Sequence, residues 1–268
     1  MNIKSLGYRT DFLFNTFDGS VEDKGQYFVA KTHSNPNYFW GNLLLFKSPP
    51  KEGDLAEWKR IFKEEFSGSD IHHITFGWDS PSGERGEVKE FENDGFGFET
   101  SVVLTATKVI KPPKYNQNIK VYSIDTEADF ERSIEIQVSR GEDHLSKESW
   151  EDFYKKAIAG YRKMIEAEKG IWFGAKIDGV LVGCLGVFTD GDVGRYQIVC
   201  TDSNFQRKGV CSTLVYESAK YAFDTMGVAK LVMVADEEYH AAKIYESVGF
   251  QPTEKQVGVC WWDEKVHS

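Results

Sequence analysis

The second half of the chain alternates between a helical and a strand-like spacing of apolar residues. Two segments show the helical spacing first: one contains Phe130, Ile134 and Ile136, and the other runs from Trp150 to Ala167. Apolar residues repeating about every 3.6 positions, with charged residues between them, indicate amphipathic helices. The pattern therefore predicts two consecutive helices between residues 130 and 167.

Three apolar runs follow at strand length. IWFGAKI and VLVGCLGVF are separated by Asp178-Gly179, and the triplet Asp190-Gly191-Asp192 precedes GRYQIVCT. An Asp-Gly pair between apolar runs is typical of a two-residue hairpin turn. The pattern predicts a three-strand antiparallel meander.

The helical spacing returns after the meander, with Val215, Ala219 and Ala222 on one face and Gly227 as a natural end. KLVMVAD is continuously apolar, as a strand covered on both faces should be. A shorter helix ending at Gly249 and the strand VGVCWW complete the chain. Because a helix joins GRYQIVCT to KLVMVAD, we expect these two strands to pair in parallel. The fold class is therefore α/β (α+β), with a mixed sheet flanked by helices.

A polar segment with two adjacent prolines, KPPKYNQN, separates the apolar run SVVLTATKVI from a new start at Ile119. Proline and polar residues between apolar runs favour a linker. A chain of 268 residues also exceeds the common size of one domain. We therefore predict two domains, residues 1–113 and 118–268.

Composition and charge narrow the class of protein. The net charge of −10 argues against broad nucleic-acid binding and favours cationic substrates. The four cysteines lack a CxxC pair, so we expect reduced thiols and no metal site. No apolar stretch reaches the length of a signal peptide or the roughly 20 residues of a membrane span, which predicts a cytoplasmic protein without membrane contact.

The turn between GRYQIVCT and the next helix, residues 202–212, is the first candidate for a binding site. A glycine just before a helix leaves backbone N–H groups directed at one point, where the helix dipole favours an anion. Arg207 and Lys208 add positive charge. Two interpretations stay open: a phosphate-binding loop, or a simple helix start with Ser212 as N-cap and two solvated basic residues. The loop contains neither GxxxxGK[ST] nor GxGxxG.

Two motifs in the C-terminal half resemble a known family. Gln206–Cys211 matches [QR]xxGx[GA], with Cys211 in place of the usual final Gly or Ala, and Ala241–Phe250 contains Tyr-x-x-x-Gly-Phe at the end of a helix. In this order these motifs resemble the GNAT superfamily of acyl-CoA-dependent N-acyltransferases, over about residues 119–262. The resemblance implies a mostly antiparallel GNAT-type sheet and acetyl-CoA as the acyl donor.

The resemblance also implies roles for particular residues. The loop would cradle the coenzyme A pyrophosphate, and the main chain before it would pair with the pantothenate arm; near Val199 an N–H could polarise the thioester carbonyl. Tyr245 matches the tyrosine that protonates the departing thiolate, although a core aromatic is the alternative. The implied donor-binding residues are Val199, Cys200, Thr201, Gln206, Arg207, Lys208, Gly209, Val210, Cys211 and Ser212.

Two positions depart from the family pattern. Glu238 stands where the family often has Asn at the start of the last helix. The last meander strand contains no carboxylate to act as general base. The amine proton would then leave through water or through Glu142, Asp143 or His144, for which solvated polar residues are the alternative interpretation.

The N-terminal half contains a second copy of part of this pattern. VKEFENDGF, residues 88–96, shares Lys-x-[aromatic]-Glu-x-x-Gly-Phe with AKIYESVGF, residues 242–250. The preceding segments also correspond: strand YFWGNLLLF, helix GDLAEWKRIFKEEF and strand IHHITFGW. At the place of the phosphate loop stand Pro49 and Pro50, which have no N–H, and Phe91 replaces Tyr245. We expect a degenerate GNAT-like domain in residues 1–113, without a coenzyme A loop, or a chance match of the octet.

The sequence thus predicts an N-acetyltransferase with one active site per chain, which passes the acetyl group of acetyl-CoA to a primary amine on a small molecule or peptide. The alternatives are a non-catalytic acyl-CoA-binding or interaction module and a transferase for longer acyl chains. The sequence does not specify the acceptor or the oligomeric state.

Overall fold

The computed structural model describes residues 2–140, 146–237 and 241–263. It divides into two compact units, one made of the chain up to Val103 together with the chain from Glu254 onward, the other made of residues 104–253. None of the helices in the described ranges combines the length and the apolar character needed to cross a membrane.

The first unit consists of a sheet and three helices. Its strands follow the order β1-β2-β3-β4-β11, with parallel pairing between β3 and β4 and antiparallel pairing elsewhere in this series. Its elements are α1 (Leu6–Asp18), β1 (Gly19–Asp23), β2 (Tyr27–Thr32), β3 (Leu43–Phe46), α2 (Asp54–Glu65), β4 (His73–Trp78), α3 (Lys89–Asn93), the first part of β5 (Gly97–Ala106) and most of β11 (Gln251–Trp262).

Aromatic side chains fill the core of this unit. Trp58 of α2 stacks on Phe46 of β3 with ring centroids 3.6 Å apart, and Phe76 of β4 lies edge-on to both rings. Phe91 is fully buried beside Trp58. The spacing of apolar residues that predicted α2 therefore reflects the face that covers this sheet.

The predicted strand YFWGNLLLF is only partly correct. Leu43–Phe46 forms the strand, whereas Phe39–Gly41 forms a turn of 3₁₀ helix. The Asn42 side chain stabilises this turn by donating to the carbonyl oxygens of Asn35 and Tyr38 at 3.0 Å. These local hydrogen bonds compete with a strand ladder, which is why apolar content alone overestimated the strand.

The second unit contains the C-terminal elements that the sequence predicted. Its strands follow the order β10-β9-β8-β7-β6, antiparallel from β6 to β9 and parallel between β9 and β10. Its elements are β6 (Lys120–Ser123), α4 (Glu127–Val138), α5 (Lys147–Glu166), β7 (Gly170–Ile177), β8 (Val180–Asp190), β9 (Val193–Thr201), α6 (Val210–Thr225), β10 (Lys230–Asp236) and α7 (Ala241–Val248).

The predicted fold class, meander and parallel crossover are confirmed. Asp178 and Gly179 both have positive φ, 50° and 82°, as a type I′ hairpin turn requires. The prediction missed α1, β1, β2 and the four-residue strand β6, which extends the meander to four strands. Short strands such as β6 provide too few residues for a period of two to be visible.

The two copies of the repeated octet end their helices in the same way. Phe250 N–H donates to the Tyr245 carbonyl at 3.2 Å, and Phe96 N–H donates to the Phe91 carbonyl at 3.0 Å. The glycine before each phenylalanine has positive φ and donates three residues back. This pair of bonds is the Schellman arrangement at a helix C-terminus. The repeat seen in the sequence is therefore also a repeat of local structure.

Candidate functional site

Helix α6 begins with a set of unpaired backbone donors. Its N-cap is Gly209, which has φ 78° and no side chain to accept a hydrogen bond. The first N–H with an intramolecular acceptor is that of Thr213, which donates to the Gly209 carbonyl at 3.1 Å. Within the described chain the four N–H groups of Gly209–Ser212 therefore have no acceptor. By contrast, the Thr126 and Ser146 hydroxyls accept from the first turns of α4 and α5.

The charges around this helix start favour an anion. The first turn of α6 contains no acidic residue. Arg207 and Lys208 immediately precede the cap, and Arg207 has φ 59°, so that positive φ values flank Lys208 on both sides. Successive N–H groups in such a turn form a concave nest for an anion, in addition to the helix dipole. The N-cap of α6 is Gly209. Ser212, the N-cap in the alternative interpretation, lies inside the helix, and its hydroxyl donates to the Gly209 carbonyl at 3.3 Å.

Asp202 fixes the upstream end of the loop. One of its carboxylate oxygens accepts from the Asn204 N–H at 2.9 Å, and the other accepts from the Arg132 guanidinium of α4. Its own N–H donates to the Val182 carbonyl of β8 at 2.9 Å. No motif in the sequence indicated this role for Asp202, although an Asp that bonds the main chain two residues ahead is a common turn residue.

The segment Lys114–Asn116 fixes the downstream end. The Asn116 side chain donates to the Lys208 carbonyl at 2.8 Å, and the Asn116 N–H donates to Thr213 Oγ1 at 2.9 Å. The Lys114 carbonyl oxygen lies 2.1 Å from the position that a Cβ on Gly209 would occupy. These contacts join residues about 95 positions apart in the chain, and no local pattern in the sequence could have indicated them.

Strand β9 contains a bulge just before the loop. Its pairing with β8 runs from Gly186↔Gln197 directly to Cys184↔Cys200, so that two residues of β9 oppose one of β8. Ile198 adopts φ 46° there, a conformation that costs a β-branched residue on the order of 1–3 kcal/mol. Backbone strain of this kind is typical of functional sites.

The parallel pairing of β9 with β10 is short. It joins Val193–Arg195 to Lys230–Val232, and among the described residues it extends no further along either strand. The part of β9 that contains the predicted residues Val199, Cys200 and Thr201 therefore has a main-chain edge unpaired by β10. Such an edge can accept an extended ligand as an additional strand.

The cysteines near this strand are protonated at neutral pH. Burial raises the pKa of the Cys200 thiol, and it raises the pKa of the Cys211 thiol to about 12. Cys211 occupies the second position of α6. A neutral, small side chain at this position adds no negative charge beside the four N–H groups.

Tyr245 is buried, with 6% of its surface exposed, on helix α7. Both the core role and the acid role are compatible with this burial, so that its predicted acid role stays a prediction.

On the meander side, Gln197 of β9 donates to the Tyr161 hydroxyl at 2.8 Å. The predicted acceptor-side residues Glu142, Asp143 and His144, and the departure at Glu238, lie outside the described residues. The described ranges contain no group of three or more potential ligands that could hold a metal.

At the corresponding helix start in the first unit, two carboxylates accept from the backbone N–H groups just before the helix. Helix α2 also follows a left-handed glycine, Gly53 with φ 86°. Asp54 accepts from the Lys51 N–H at 2.8 Å, and Glu90 accepts from the Gly53 N–H at 3.2 Å. Pro49 and Pro50 supply no N–H, as the sequence indicated. The two helix starts share a left-handed cap glycine and differ in charge.

Part of the chain matches the model of a known protein family. Residues 132–250 match the family model described as Acetyltransferase (GNAT) family. This match includes both motifs, the bulge and the whole of α6. No curated protein matches the chain.

Solved structures similar to this chain extend over both units. A functionally unknown conserved protein from Staphylococcus epidermidis has a TM-score of 0.75 at 11% identity, covering 94% of this chain and 97% of its own. A GCN5-related N-acetyltransferase from Kribbella flavida has a TM-score of 0.63 at 12% identity, covering 96% and 95%. A tandem GNAT protein from the clavulanic acid biosynthesis pathway has a TM-score of 0.52 at 12% identity, covering 83% and 80%.

At these identities the structural similarity establishes the fold of the chain, including a GNAT-like fold for the N-terminal half. The family model establishes the sequence relationship of the C-terminal half. Residues 132–250 thus match the acetyltransferase (GNAT) family in sequence, and both halves of the chain have a GNAT-like fold.

Proposed function

We propose that this protein is an N-acetyltransferase that transfers the acetyl group of acetyl-CoA to a primary amine on a small molecule or peptide. The start of α6 supports this most strongly. It combines four N–H groups that have no acceptor among the described residues with two basic residues and a first turn without an acid. The match of residues 132–250 to the acetyltransferase (GNAT) family supports a coenzyme A pyrophosphate as the anion for this cradle.

The proposed donor lies along β9 and α6. The pyrophosphate accepts from the N–H groups of the loop between Gln206 and Ser212, with Arg207 and Lys208 as further positive charge. The pantothenate arm pairs with the edge of β9 at Val199–Thr201, which β10 leaves unpaired. The bulge at Ile198 changes the direction of the next N–H groups, and we assign the Val199 N–H to the thioester carbonyl oxygen.

The proposed chemistry is a direct transfer. The neutral amine nitrogen attacks the thioester carbonyl carbon, a C–N bond forms, and the C–S bond breaks as the tetrahedral intermediate collapses. The departing thiolate takes a proton from the Tyr245 hydroxyl, and the Tyr245 phenolate regains a proton from water. The amine nitrogen loses one proton. A phenol of pKa about 10 can protonate a thiolate whose thiol has a pKa near 8.5 when the site holds both groups together.

The route for the amine proton follows from the composition of β9. The strand has no Asp or Glu, and its Gln197 amide donates to Tyr161 and is no base at neutral pH. We therefore assign the proton to water or to one of the residues 142–144. The net charge of −10 favours cationic acceptors, which must lose a proton before they attack.

Thiol release tests this proposal. The intact protein is incubated with acetyl-CoA and a panel of primary amines, and free coenzyme A is measured with a thiol reagent. We expect at least one amine to release thiol faster than the blank. Turnover that requires a longer acyl-CoA would contradict acetyl transfer, and tight coenzyme A binding without turnover for any amine or acyl chain would favour the non-catalytic binding module.

Tyr245→Phe tests the acid role. We expect kcat to fall by roughly 10²-fold or more, the usual contribution of a general acid, with little change in the affinity for coenzyme A. Tyr196 is buried in the same unit, and Tyr196→Phe is the matched control. Its hydroxyl donates to the Val215 carbonyl and has no proposed part in the chemistry. An unchanged kcat in Tyr245→Phe, with Tyr196→Phe equally unchanged, would assign Tyr245 to the core alone.

A further inference from the structure

We propose that Asn116 is a positioning residue for the acyl-donor loop and sets the affinity for the pyrophosphate part of coenzyme A. This inference rests on the proposed function, because it concerns the same loop. Asn116 belongs to the polar segment that follows Pro112 and Pro113, and not to the motif residues of the family. Its contacts connect that segment to both sides of Gly209.

The Asn116 side chain has one possible orientation. Its Oδ1 accepts from the Asn118 N–H at 3.0 Å, and its Nδ2 donates to the Lys208 carbonyl at 2.8 Å. An N–H can only donate and a carbonyl can only accept, so these two partners fix which end of the amide is which. The Asn116 N–H also donates to Thr213 Oγ1 on the first turn of α6, at 2.9 Å.

The planarity of the peptide bond transmits this contact to the anion site. The Lys208 carbonyl and the Gly209 N–H belong to one trans peptide unit, in which C=O and N–H point in opposite directions. Asn116 holds the carbonyl, so the Gly209 N–H points away from the Lys114–Asn116 segment. That N–H is one of the four donors at the start of α6 that have no acceptor in the described chain. Asn116 therefore orients a donor that it does not touch.

The same segment restricts what the loop can do without this bond. The Lys114 carbonyl oxygen lies 2.1 Å from the position that a Cβ on Gly209 would occupy, and it accepts from the Ser212 hydroxyl at 3.4 Å. Tyr115 extends the contact along α6, because its hydroxyl donates to Glu217 at 2.7 Å. We therefore expect the segment to remain in place when the Asn116 amide is removed, and the Lys208–Gly209 peptide to become freer.

Asn116→Ala provides the test, with acetyl-CoA and S-acetylpantetheine compared as donors. S-acetylpantetheine has the thioester and the pantetheine arm but no pyrophosphate. We expect the KM for acetyl-CoA and the Kd for coenzyme A to rise about five- to tenfold, the loss typical of one hydrogen bond to a well-placed donor. The kcat at saturating acetyl-CoA and the kcat/KM for S-acetylpantetheine should not change.

Two further variants separate positioning from folding. Asn118→Ala is the matched control, since Asn118 is exposed and uses only its backbone N–H in this contact. Thr213→Val removes the other attachment of Asn116, and the double variant should weaken coenzyme A binding less than the sum of the two single effects.

The outcomes distinguish the two proposals. Equal losses for both donors in Asn116→Ala, or an unchanged Kd for coenzyme A, would overturn the positioning role while leaving the proposed function intact. If the parent protein neither binds coenzyme A by calorimetry nor releases thiol, the proposed function fails instead. A loss confined to the donor that carries the pyrophosphate, absent in Asn118→Ala, supports the inference.

Discussion

Gly209 meets two requirements that only glycine satisfies. Its φ of 78° lies in the left-handed region, and the Lys114 carbonyl oxygen lies 2.1 Å from the position of a Cβ. In the sequence, this glycine indicated a turn whose backbone N–H groups are directed at one point. The structure adds that the glycine also permits close approach of the chain's own backbone.

Gly209→Ala should therefore weaken both the fold and the site. The left-handed conformation alone costs about 1–3 kcal/mol, and the contact with Lys114 forces the loop to move. We expect the affinity for coenzyme A to fall by at least roughly tenfold, about 1.4 kcal/mol. Urea unfolding and calorimetric titration measure the two effects.

Gly227 at the other end of α6 is the matched control. Its φ is 70°, and a Cβ there meets no atom within 4 Å. Gly227→Ala should lower the free energy of unfolding through its backbone conformation and leave the affinity for coenzyme A unchanged. Equal effects of both variants on affinity would show that Gly209 acts only through stability.

At the scale of elements, the charge at a helix start distinguishes α6 from α2. Both helices follow a left-handed glycine. Helix α2 begins with Asp54 and receives Glu90 at the same end, whereas the first turn of α6 has no acid. A carboxylate near a helix N-terminus interacts favourably with the positive end of the helix dipole, and thereby competes with an external anion.

Cys211→Asp places a carboxylate in the first turn of α6 and tests this comparison. We expect the affinity for coenzyme A to fall by roughly tenfold or more, because the carboxylate repels the pyrophosphate and competes for the N–H groups. Cys211→Ser, of nearly the same size and uncharged, should bind almost as the parent does. Titration calorimetry gives both affinities, and full affinity in Cys211→Asp would contradict an anion site at this helix start.

The elements themselves were largely predictable from the sequence, whereas the supports of the site were not. Long periodic helices such as α5 and hairpins with Asp-Gly turns were predicted because their signals are local. The bulge at Ile198 was not, since an isoleucine with positive φ contradicts every local preference. The contact from Asn116 to Lys208 was not either, because its two partners are 92 positions apart.

At the scale of the whole molecule, the chain contains two units that share a local structural repeat and differ in the residues at the corresponding helix start. The octets around Phe91 and Tyr245 end in the same hydrogen-bond pattern, which supports an origin by repetition. Two adjacent basic residues precede α6 and its first turn has no acid, whereas α2 begins with Asp54 and receives Glu90. The first unit has prolines and carboxylates there, and Phe91 lacks the hydroxyl of Tyr245. We therefore propose that coenzyme A binds to the second unit alone.

The stoichiometry of coenzyme A binding tests this central claim most directly. Isothermal titration of the full chain with coenzyme A should give one site per chain. Two sites per chain, or no binding at millimolar coenzyme A, would contradict it.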